Sequence, residues 1–283
     1  MRIIEEMLEQ APFLRLDANQ TVSHLSNKLK QAIKAAGFDK AIVGLSGGID
    51  SALTLYLSVH ALGKDNVVAV KMPYKHSSPS SLEDAQKAID ALGVESLTVD
   101  ITPQIDAYFK RFPDATALRK GNKMARERMS ILYDLSAQHD ALVIGTGNKS
   151  EMFLGYGTQF GDLACAINPV ADLYKTQVRQ LSAHLGIPES IITKAPSADL
   201  WQDQTDEGEL GYTYLEADVL LHYMVDRRFT RAELIQQGFA PEFIDSVIRR
   251  IQQNHFKRHL PVTFPISERS MTIDYEYLRG LGL

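Results

Sequence analysis

The sequence has little cysteine, no excess of basic charge and no long apolar run. Cys165 is the one cysteine among 283 residues, so no intramolecular disulfide can form and a zinc site of four cysteines is excluded. The formal net charge of -5 argues against a surface that neutralises a nucleic-acid backbone. The sequence contains no apolar run of about 18 residues, the length that a membrane span requires. The N-terminus is acidic and its apolar residues do not form a continuous run, so it does not resemble a signal sequence. We therefore expect a cytoplasmic protein that acts on a small substrate and has neither nucleic acid nor membrane as a partner.

Strand-like and helical patterns alternate through most of the chain. The composition, with 45% hydrophobic and 23% charged residues, is that of a globular protein. From residue 20 to about 185, short apolar runs alternate with helical periodicity, which is typical of a parallel sheet covered on both faces. We predict an α/β fold with a doubly wound parallel sheet. The predicted strands span 40–43, 66–72, 95–99 and 141–145, and the predicted helices span 22–36, 52–62, 80–92, 119–138 and 170–185.

The pattern becomes wholly helical near residue 210, and the tail after residue 260 shows no clear periodicity. Three helices are predicted in this part, over 214–224, 230–237 and 241–253. We expect one domain over the whole chain. Its expected parts are an α/β nucleotide-binding core over about 20–210, a helical subdomain over about 211–260 and a tail over 261–283.

Residues 44–51, which read GLSGGIDS, form a glycine- and serine-rich turn between an apolar strand and an apolar helix. Backbone N–H groups of such a turn can bind phosphate at the start of a helix. The turn lacks the lysine with which a Walker A loop contacts nucleotide phosphates. Asp50 stands near its end instead, and a carboxylate lies beside phosphates only through a metal ion. The turn therefore predicts a metal-assisted phosphate site, and the alternative is an ordinary Gly-Ser turn without a ligand.

A second turn of this kind, residues 145–151 with the sequence GTGNKSE, follows the last predicted strand of the sheet. Thr146 and the neighbouring glycines allow the backbone to approach a nucleotide closely. Glu151 follows one helical turn later and could join Asp50 on a magnesium ion. A strand-to-helix turn with a glutamate is common, so this motif gains its meaning from the first loop.

Three other motifs carry charged or polar groups. Residues 120–129 read KGNKMARERM, residues 173–179 read LYKTQVR, and residues 196–200 read PSADL. The plainer interpretations are a solvated helix face for the first and a solvated loop for the last, although a loop of this length between helices is often a lid. Because the carboxyl ends of parallel strands meet at one edge of a sheet, the loops should converge around one crevice. The loops expected to meet there begin at Gly44, Pro73, Gly145 and Pro196.

Together, these five motifs resemble those of the ammonia-dependent NAD synthetases, a family with the ATP pyrophosphatase loop. The resemblance covers roughly residues 20–260, and the later four motifs separate it from other enzymes that share the SGGxDS loop. It implies an adenine nucleotide alpha hydrolase-like fold and a ligase that forms a C–N bond, with ATP as co-substrate and Mg²⁺ as cofactor. In the implied reaction, the nicotinate carboxylate of deamido-NAD attacks the α-phosphorus of ATP and releases pyrophosphate. Ammonia then displaces AMP to give NAD.

The resemblance also implies roles for individual residues. Asp50 and Glu151 would hold the metal, Asp50 and Lys175 would act in catalysis at the phosphates, and Arg126 and Lys257 would bind deamido-NAD. A solvated basic face is the alternative for Lys257. The implied ATP-binding residues are Gly44, Leu45, Ser46, Gly47, Gly48, Ile49, Asp50, Ser51, Thr146, Lys175 and Ser197.

The chain departs from the common family pattern at the end where the amine reacts. Gln159 replaces a lysine and Ala166 an aspartate, so that one cation and one anion are lost together, and Phe256 replaces a histidine. Asp162 is the nearest remaining carboxylate, and we hypothesise that it is a catalytic residue that orients or deprotonates the amine. Cys165 lies in an apolar run with no adjacent base, which favours a buried structural thiol over a nucleophile.

The ammonia source and the rival activities stay open at this point. Glutamine-dependent relatives carry an N-terminal domain with a catalytic cysteine, whereas about forty residues without cysteine precede the phosphate loop here. We therefore expect no glutaminase domain, and the use of free ammonia or of ammonia from a separate glutaminase. Small members of the family are homodimers, and we expect the same of this chain. The alternatives are another amidating or thiolating ATP pyrophosphatase and a non-enzymatic nucleotide sensor of the universal-stress type.

Overall fold

The structure is a computed structural model that describes residues 2–197, 199, 201, 204–259 and 264–266. The strands of the described residues form one parallel sheet. They are β1 (Lys40–Gly44), β2 (Val67–Lys71), β3 (Glu95–Thr98) and β4 (Ala141–Ile144). Their spatial order is β3-β2-β1-β4. After β1, the chain adds β2 and β3 on one side of that strand, and it then adds β4 on the opposite side.

Helices connect the strands and make up most of the described residues from 206 to 258. The first seven are α1 (Arg2–Gln10), α2 (Ala18–Ala35), α3 (Ile49–Leu62), α4 (Pro79–Leu92), α5 (Thr102–Phe109), α6 (Ala117–His139) and α7 (Lys149–Leu154). They are followed by α8 (Lys175–His184), α9 (Glu189–Ile192), α10 (Asp206–Leu210), α11 (Tyr214–Leu221), α12 (Arg231–Gln236) and α13 (Pro241–Asn254).

The sheet is covered by helices on both faces. On one face, α2, α3, α4 and α8 pack against side chains such as Ala41 and Val43. On the other face, α5 and α6 pack against side chains such as Ile42 and Val68. Successive strand residues point to opposite faces, and here both faces are buried, so the central strands read as continuous apolar runs. The doubly wound α/β sheet predicted from the sequence is confirmed.

The predicted helix over 170–185 is wrong at its start, because α8 begins at Lys175. The N–H of Tyr174 donates to the Gln177 Oε1 at 2.9 Å, outside the helix. Before it, the Leu173 carbonyl accepts a hydrogen bond from the Lys149 N–H at 2.8 Å. The apolar residues Val170 and Leu173 are buried in the main core. They have the three-residue spacing of a helix face, but they lie in a buried turn.

The helices of the C-terminal part surround a second apolar cluster. Buried residues of α11, α12 and α13, including Leu220, Leu234 and Ile244, form its centre. Leu154 and Tyr174, which border the predicted nucleotide site, belong to the same cluster. Helix α11 ends at Leu221, before the predicted end at 224, and continues as a π-helical turn. Apart from 264–266, the predicted tail over 261–283 lies outside the described residues.

Within the described ranges, no helix is long and apolar enough to cross a membrane.

Candidate active site

The carboxyl ends of the strands open into a cavity of about 720 Å³. The loops that begin at Gly44, Pro73, Gly145 and Pro196 all contribute to its lining, which confirms their predicted convergence. The spatial order of the strands explains why the loops after Gly44 and Gly145 meet, because β1 and β4 are neighbours and both end at this edge of the sheet.

The phosphate loop keeps its shape through its own side chains. The hydroxyls of Ser46 and Ser51 lie 3.0 Å apart, and the Ser46 N–H donates to the Ser51 Oγ at 3.2 Å. The Ser51 hydroxyl in turn donates to the Gly48 carbonyl at 2.9 Å. Gly47 has a φ of +82°, and a Cβ there would lie 2.0 Å from the Ser81 carbonyl oxygen. Only glycine fits this position without strain, so the loop is preformed at the start of α3.

Lys175 lies between the two carboxylates predicted to hold the metal. Its Nζ donates to the Asp50 Oδ2 at 2.6 Å and to the Glu151 Oε1 at 2.9 Å. The lysine side chain is only 3% exposed. The three residues come from the first turns of α3, α7 and α8, so three helix starts meet at one point. The structure thus brings the predicted lysine and both predicted metal ligands together.

Asn148 fixes the positions of these carboxylates, although the sequence did not single it out. Its Oδ1 accepts a hydrogen bond from the Glu151 N–H at 3.0 Å, and its own N–H donates to the Glu151 Oε2 at 3.2 Å. Its side-chain amide also donates to the Asp50 Oδ1 at 2.8 Å. The spacing of Asn148 and Glu151 is that of a capping box, which is the local signal that could have identified it.

Burial and mutual charge set the protonation of this group. Burial, together with the nearby charge of Asp50, raises the pKa of Glu151 to about 8, against the opposing effect of Lys175. Burial alone would lower the pKa of Lys175, but the charges of Asp50 and Glu151 raise it above its usual value. The lysine is therefore held as a cation by the two carboxylates that it contacts.

Asp218, on α11, connects the helices that carry Glu151 and Lys175. It is fully buried and accepts hydrogen bonds from the Ser150 hydroxyl and from the N–H and hydroxyl of Thr176, the latter two at 2.8 and 2.7 Å. Burial raises its pKa to about 6. No local sequence pattern indicated it, because its partners are distant in the chain.

Thr146 and Ser197, both predicted to bind ATP, line the same cavity. Ser197 precedes Asp199, whose Oδ2 accepts a hydrogen bond from the Ser78 N–H at 3.0 Å at the start of α4. The described part of the PSADL motif is thus tied to the sheet-covering helices. Ala198 and Leu200 of the motif lie outside the described residues.

Asp206 is a third buried carboxylate on the cavity lining that the sequence did not single out. Its Oδ2 accepts a hydrogen bond from the Tyr214 hydroxyl at 3.2 Å. Its Oδ1 is buried and has no hydrogen-bond partner within the described ranges. Burial raises its pKa, while the Lys175 charge opposes that shift.

Of the residues predicted for the amine and deamido-NAD, Asp162 and Lys257 line the cavity. Asp162 accepts a hydrogen bond from the Thr158 N–H at 2.9 Å. Its carboxyl is open to the cavity but surrounded by protein, and this burial raises its pKa. The Lys257 Nζ, also at the cavity, donates to the carbonyls of Gly155 and Gly157 at 2.8 and 3.0 Å.

Arg126 is not brought into this group. It is exposed, and its Nε donates to the Gln159 carbonyl at 3.1 Å. Cys165 lies on the other side of β4, where burial raises the pKa of its thiol. A Cβ on Gly145 would lie 2.5 Å from the Cys165 Sγ, so the sulfur packs where a side chain at position 145 would be. Both observations support the structural thiol predicted from the sequence.

The comparison with protein families gives a match to the model described as NAD synthase, over residues 21–261. The chain belongs to the NAD synthase family. This membership confirms the resemblance drawn from the five motifs, and it makes the protein an enzyme of the ligase class that uses ATP as co-substrate.

Individual relatives agree with the family. The NH₃-dependent NAD⁺ synthetase of Trichlorobacter lovleyi is 53% identical over 254 residues, which are 90% of this chain and 93% of the relative. Among solved structures, NMN synthetase from Francisella tularensis has a TM-score of 0.79 at 34% identity, covering 89% of this chain and 100% of that one. The NH₃-dependent NAD synthetase from Campylobacter jejuni, solved with nitrate, has a TM-score of 0.76 at 35% identity, with the same coverage.

Proposed function

We propose that this member of the family makes NAD from deamido-NAD, ATP and ammonia. The observation that carries the proposal is the meeting of Asp50, Glu151 and Lys175 beside a preformed phosphate loop that lacks a Walker lysine. With a magnesium ion held by the two carboxylates, such a site would offset the charge on the phosphates of ATP, and the loop has no lysine of the kind that serves transfer of the terminal phosphoryl group. The relatives named as NH₃-dependent NAD⁺ synthetases support the acceptor and the amine donor.

The first step is attack by the nicotinate carboxylate on the α-phosphorus of ATP. A carboxylate oxygen forms a bond to phosphorus, and the bond to the β-phosphate oxygen breaks, so that pyrophosphate leaves with the electron pair. The loop N–H groups with Ser46 and Ser51 would hold the phosphates in line, together with Thr146 and Ser197. Lys175 would contribute a point charge close to the leaving pyrophosphate.

Magnesium fits the residues that would hold it. Asp50 and Glu151 offer carboxylate oxygens on either side of one lysine, and Asp206 places an unpartnered buried oxygen on the same cavity lining in the part of the chain that the structure describes. A complete cage of three or more acidic, histidine or cysteine side chains is absent from the described residues. This suits an ion that keeps several waters and takes phosphate oxygens as ligands. When bound, it would offset the charge on the departing pyrophosphate.

The second step is attack of ammonia on the acyl carbon, with release of AMP. The nitrogen forms the new C–N bond while the bond to the AMP oxygen breaks, and one proton of the amine must be removed. Asp162 is suited to receive it, because burial raises its pKa towards the working range of a general base. Lys257 and Arg126 would bind the rest of deamido-NAD. If Asp162→Asn kept full turnover with ammonium, the role of Asp162 would be rejected.

Turnover of the purified protein tests the proposal. With ATP and Mg²⁺, we expect NAD to form from deamido-NAD and ammonium, and no turnover with glutamine in place of ammonium. Equal rates with glutamine would contradict the assignment to free ammonia or to a separate glutaminase. Pyrophosphate release that required deamido-NAD would exclude a nucleotide sensor.

The likeness to an NMN synthetase makes a second acceptor worth testing. Nicotinate mononucleotide carries the same carboxylate on a smaller substrate, so it should react through the same first step. We expect a kcat/KM at least tenfold lower than with deamido-NAD. The reverse preference would assign the chain to mononucleotide amidation.

We propose a homodimer. Four large apolar side chains are exposed on α5, on α6 and on the segment between them, namely Tyr108, Phe112, Leu118 and Tyr133. Tyr108 and Phe112 contact each other with ring centroids 5.4 Å apart, and exposed apolar groups of this kind are typical of protein contacts. Light scattering should give twice the mass of the 31.5 kDa chain, and a monomer at micromolar concentration would contradict the proposal.

A further inference from the structure

Arg128 lies on the cavity lining with most of its hydrogen-bonding capacity unused. Its Nε donates to the Met72 carbonyl at 2.9 Å, just past the end of β2. Among the described residues, no carboxylate forms an ion pair with its guanidinium within 4 Å and its terminal nitrogens form no hydrogen bond, although the charges of Asp199 and Asp162 act on it from further away. A guanidinium that has lost much of its hydration and has no anion in contact with it is costly, and binding of an anion during function would offset that cost.

The neighbours of Arg128 on α6 locate it within the cavity. Leu132, one turn later, packs against Gly44 at the start of the phosphate loop, where a Cβ would lie 2.9 Å from its Cδ1. Ala125, one turn earlier, packs in the same way against Gly161 at 2.9 Å. Residues 125, 128 and 132 share one face of a helix, so Arg128 projects between the phosphate loop and the turn that carries Asp162.

The lysines that line the cavity are already engaged elsewhere. Lys175 contacts two carboxylates, Lys257 donates to two carbonyls, and Lys194 donates to Ser81 and contacts Asp84. Arg250 stacks over the Tyr156 ring at 5.8 Å, and its Nε is buried without a hydrogen-bond partner among the described residues. Arg128 differs from Arg250 in that its neighbours on α6 pack against the phosphate loop and against the turn that carries Asp162.

The proposed reaction most needs a positive charge where the acceptor carboxylate meets the α-phosphate. In the first step a carboxylate approaches the α-phosphate, so two anions meet before pyrophosphate leaves. Lys175 with its two carboxylates carries a net negative charge when all three are ionised, and it cannot neutralise the carboxylate of the acceptor. A planar guanidinium can bind one oxygen of a carboxylate and one of a phosphate at the same time.

We propose that Arg128 binds the reacting carboxylate of the acceptor and an α-phosphate oxygen of ATP, and so distinguishes the carboxylate substrate from its amide product. This inference rests on the proposed function, because it names the group that the same site would recognise. The Met72 carbonyl would hold the guanidinium in place from its Nε side, leaving the two terminal nitrogens for the anions.

Binding of deamido-NAD and of NAD to Arg128 variants tests this proposal, because these ligands differ only in carboxylate against amide. By calorimetry, Arg128→Gln should weaken deamido-NAD at least tenfold and NAD less than threefold. The glutamine side chain can still donate to the Met72 carbonyl, so a purely structural role would leave the ratio of the two affinities unchanged. Arg119→Gln, an exposed arginine on the same helix, is the matched control and should change neither affinity.

The first chemical step gives a second measurement. Single-turnover release of pyrophosphate without ammonium should slow about 100-fold in Arg128→Gln, and Arg128→Lys, which keeps the charge, should recover part of that loss. Equal losses in the two variants, or equal weakening of both dinucleotides, would overturn the proposal. Should the glutamine variant not fold, Arg128→Lys decides the question: it should weaken deamido-NAD three- to tenfold more than NAD, and an unchanged ratio would reject the role.

The wild-type protein in the same assays separates the two hypotheses. Absence of wild-type turnover of deamido-NAD with ammonium would reject the proposed function itself. Normal wild-type turnover with an unaltered dinucleotide preference in the variants would reject only the role of Arg128.

Discussion

Around Lys175, the phosphate end of the cavity carries charges that already contact one another, whereas the amine end carries charges that face backbone or open space. Lys175, Asp50 and Glu151 contact one another with the lysine almost completely buried. Asp162 and Arg126, by contrast, have no ion-pair partner among the described residues, and Arg126 is exposed. Polar contacts that are complete before binding need no reorganisation when charge develops. The first step therefore has a preformed site, while the second depends on groups that the substrate itself must complete.

The largest effect should come from removing the cation at the centre of the preformed end. Lys175→Met leaves Asp50 and Glu151 facing each other without compensation, so we expect kcat/KM for ATP to fall about 1,000-fold. Steady-state pyrophosphate release measures it. Lys149→Met removes a lysine that pairs with Asp226 in the neighbouring helix and should change kcat/KM less than about threefold. A loss in the control as large as in Lys175→Met would show that any paired lysine matters equally here.

A smaller but still large loss should follow from changing the backbone of the phosphate loop. Gly47→Ala places a methyl group against the Ser81 carbonyl at a positive φ, so we expect turnover to fall about 100-fold with a loss of 1–3 kcal/mol in the free energy of unfolding. Chemical denaturation and turnover should be measured together. In Gly48→Ala the new Cβ would lie 3.3 Å from the Ser46 Oγ at a φ of -88°. The control should therefore lose less on both counts.

At the amine end we expect a change in binding with little change in rate. Lys257→Met removes the ammonium held by Gly155 and Gly157 at the cavity wall. The KM for deamido-NAD should rise about tenfold while kcat stays within threefold, since the phosphate end is untouched. Arg258→Met changes the next residue, which packs over the Phe153 ring at 4.8 Å, and it should leave that KM unchanged. A fall in kcat of Lys257→Met without a change in KM would remove the contrast between the two ends.

The smallest expected effect concerns the pH dependence of stability. The pKa of Asp218 is raised to about 6 by burial, so the folded state binds its proton more tightly than the unfolded chain does. Its charge therefore costs stability above pH 6, and this cost is relieved as the pH falls towards 4. Relative to Asp218→Asn, which does not titrate, the wild-type free energy of unfolding should rise by about 2 kcal/mol between pH 7 and pH 4. Lys175, the charged group that acts on Asp218 from α8, is protonated throughout this range. Urea titrations of the two proteins at each pH measure this difference. A difference in the free energy of unfolding that stayed constant between pH 7 and pH 4 would contradict the raised pKa of Asp218.

The sequence predicted those parts of the protein that local chemistry determines. The β-branched run before Gly44 and the glycine turn after it leave few alternatives to a strand, a phosphate loop and a helix. Parallel strands bring their ends to one edge, so the meeting of Asp50 with Glu151 followed from topology. The exact helix starts were less predictable, because buried Val170 and Leu173 have the same spacing as a helix face.

The contacts that fix the charged group could not be predicted from the sequence. Asp218 is polar within an apolar helix, and nothing near it in the chain shows that its partners are Ser150 and Thr176. Lys175 was predicted as a phosphate ligand, but its position between two carboxylates depends on the packing of three helices. Arg128 looked like part of a solvated basic face until its neighbours on α6 were known.

The packing of the Cys165 sulfur against Gly145 links two positions that are far apart in the chain. Alanine at position 145 requires a residue smaller than cysteine at 165, because its Cβ would lie 2.5 Å from the Cys165 Sγ, and a larger residue at 165 would push on the strand end that leads to Thr146. Lineages of this enzyme should therefore change the two positions in that order. A reagent that alkylates the Cys165 thiol would enlarge this residue in the same way, and it should disturb the nucleotide end of the cavity through Gly145.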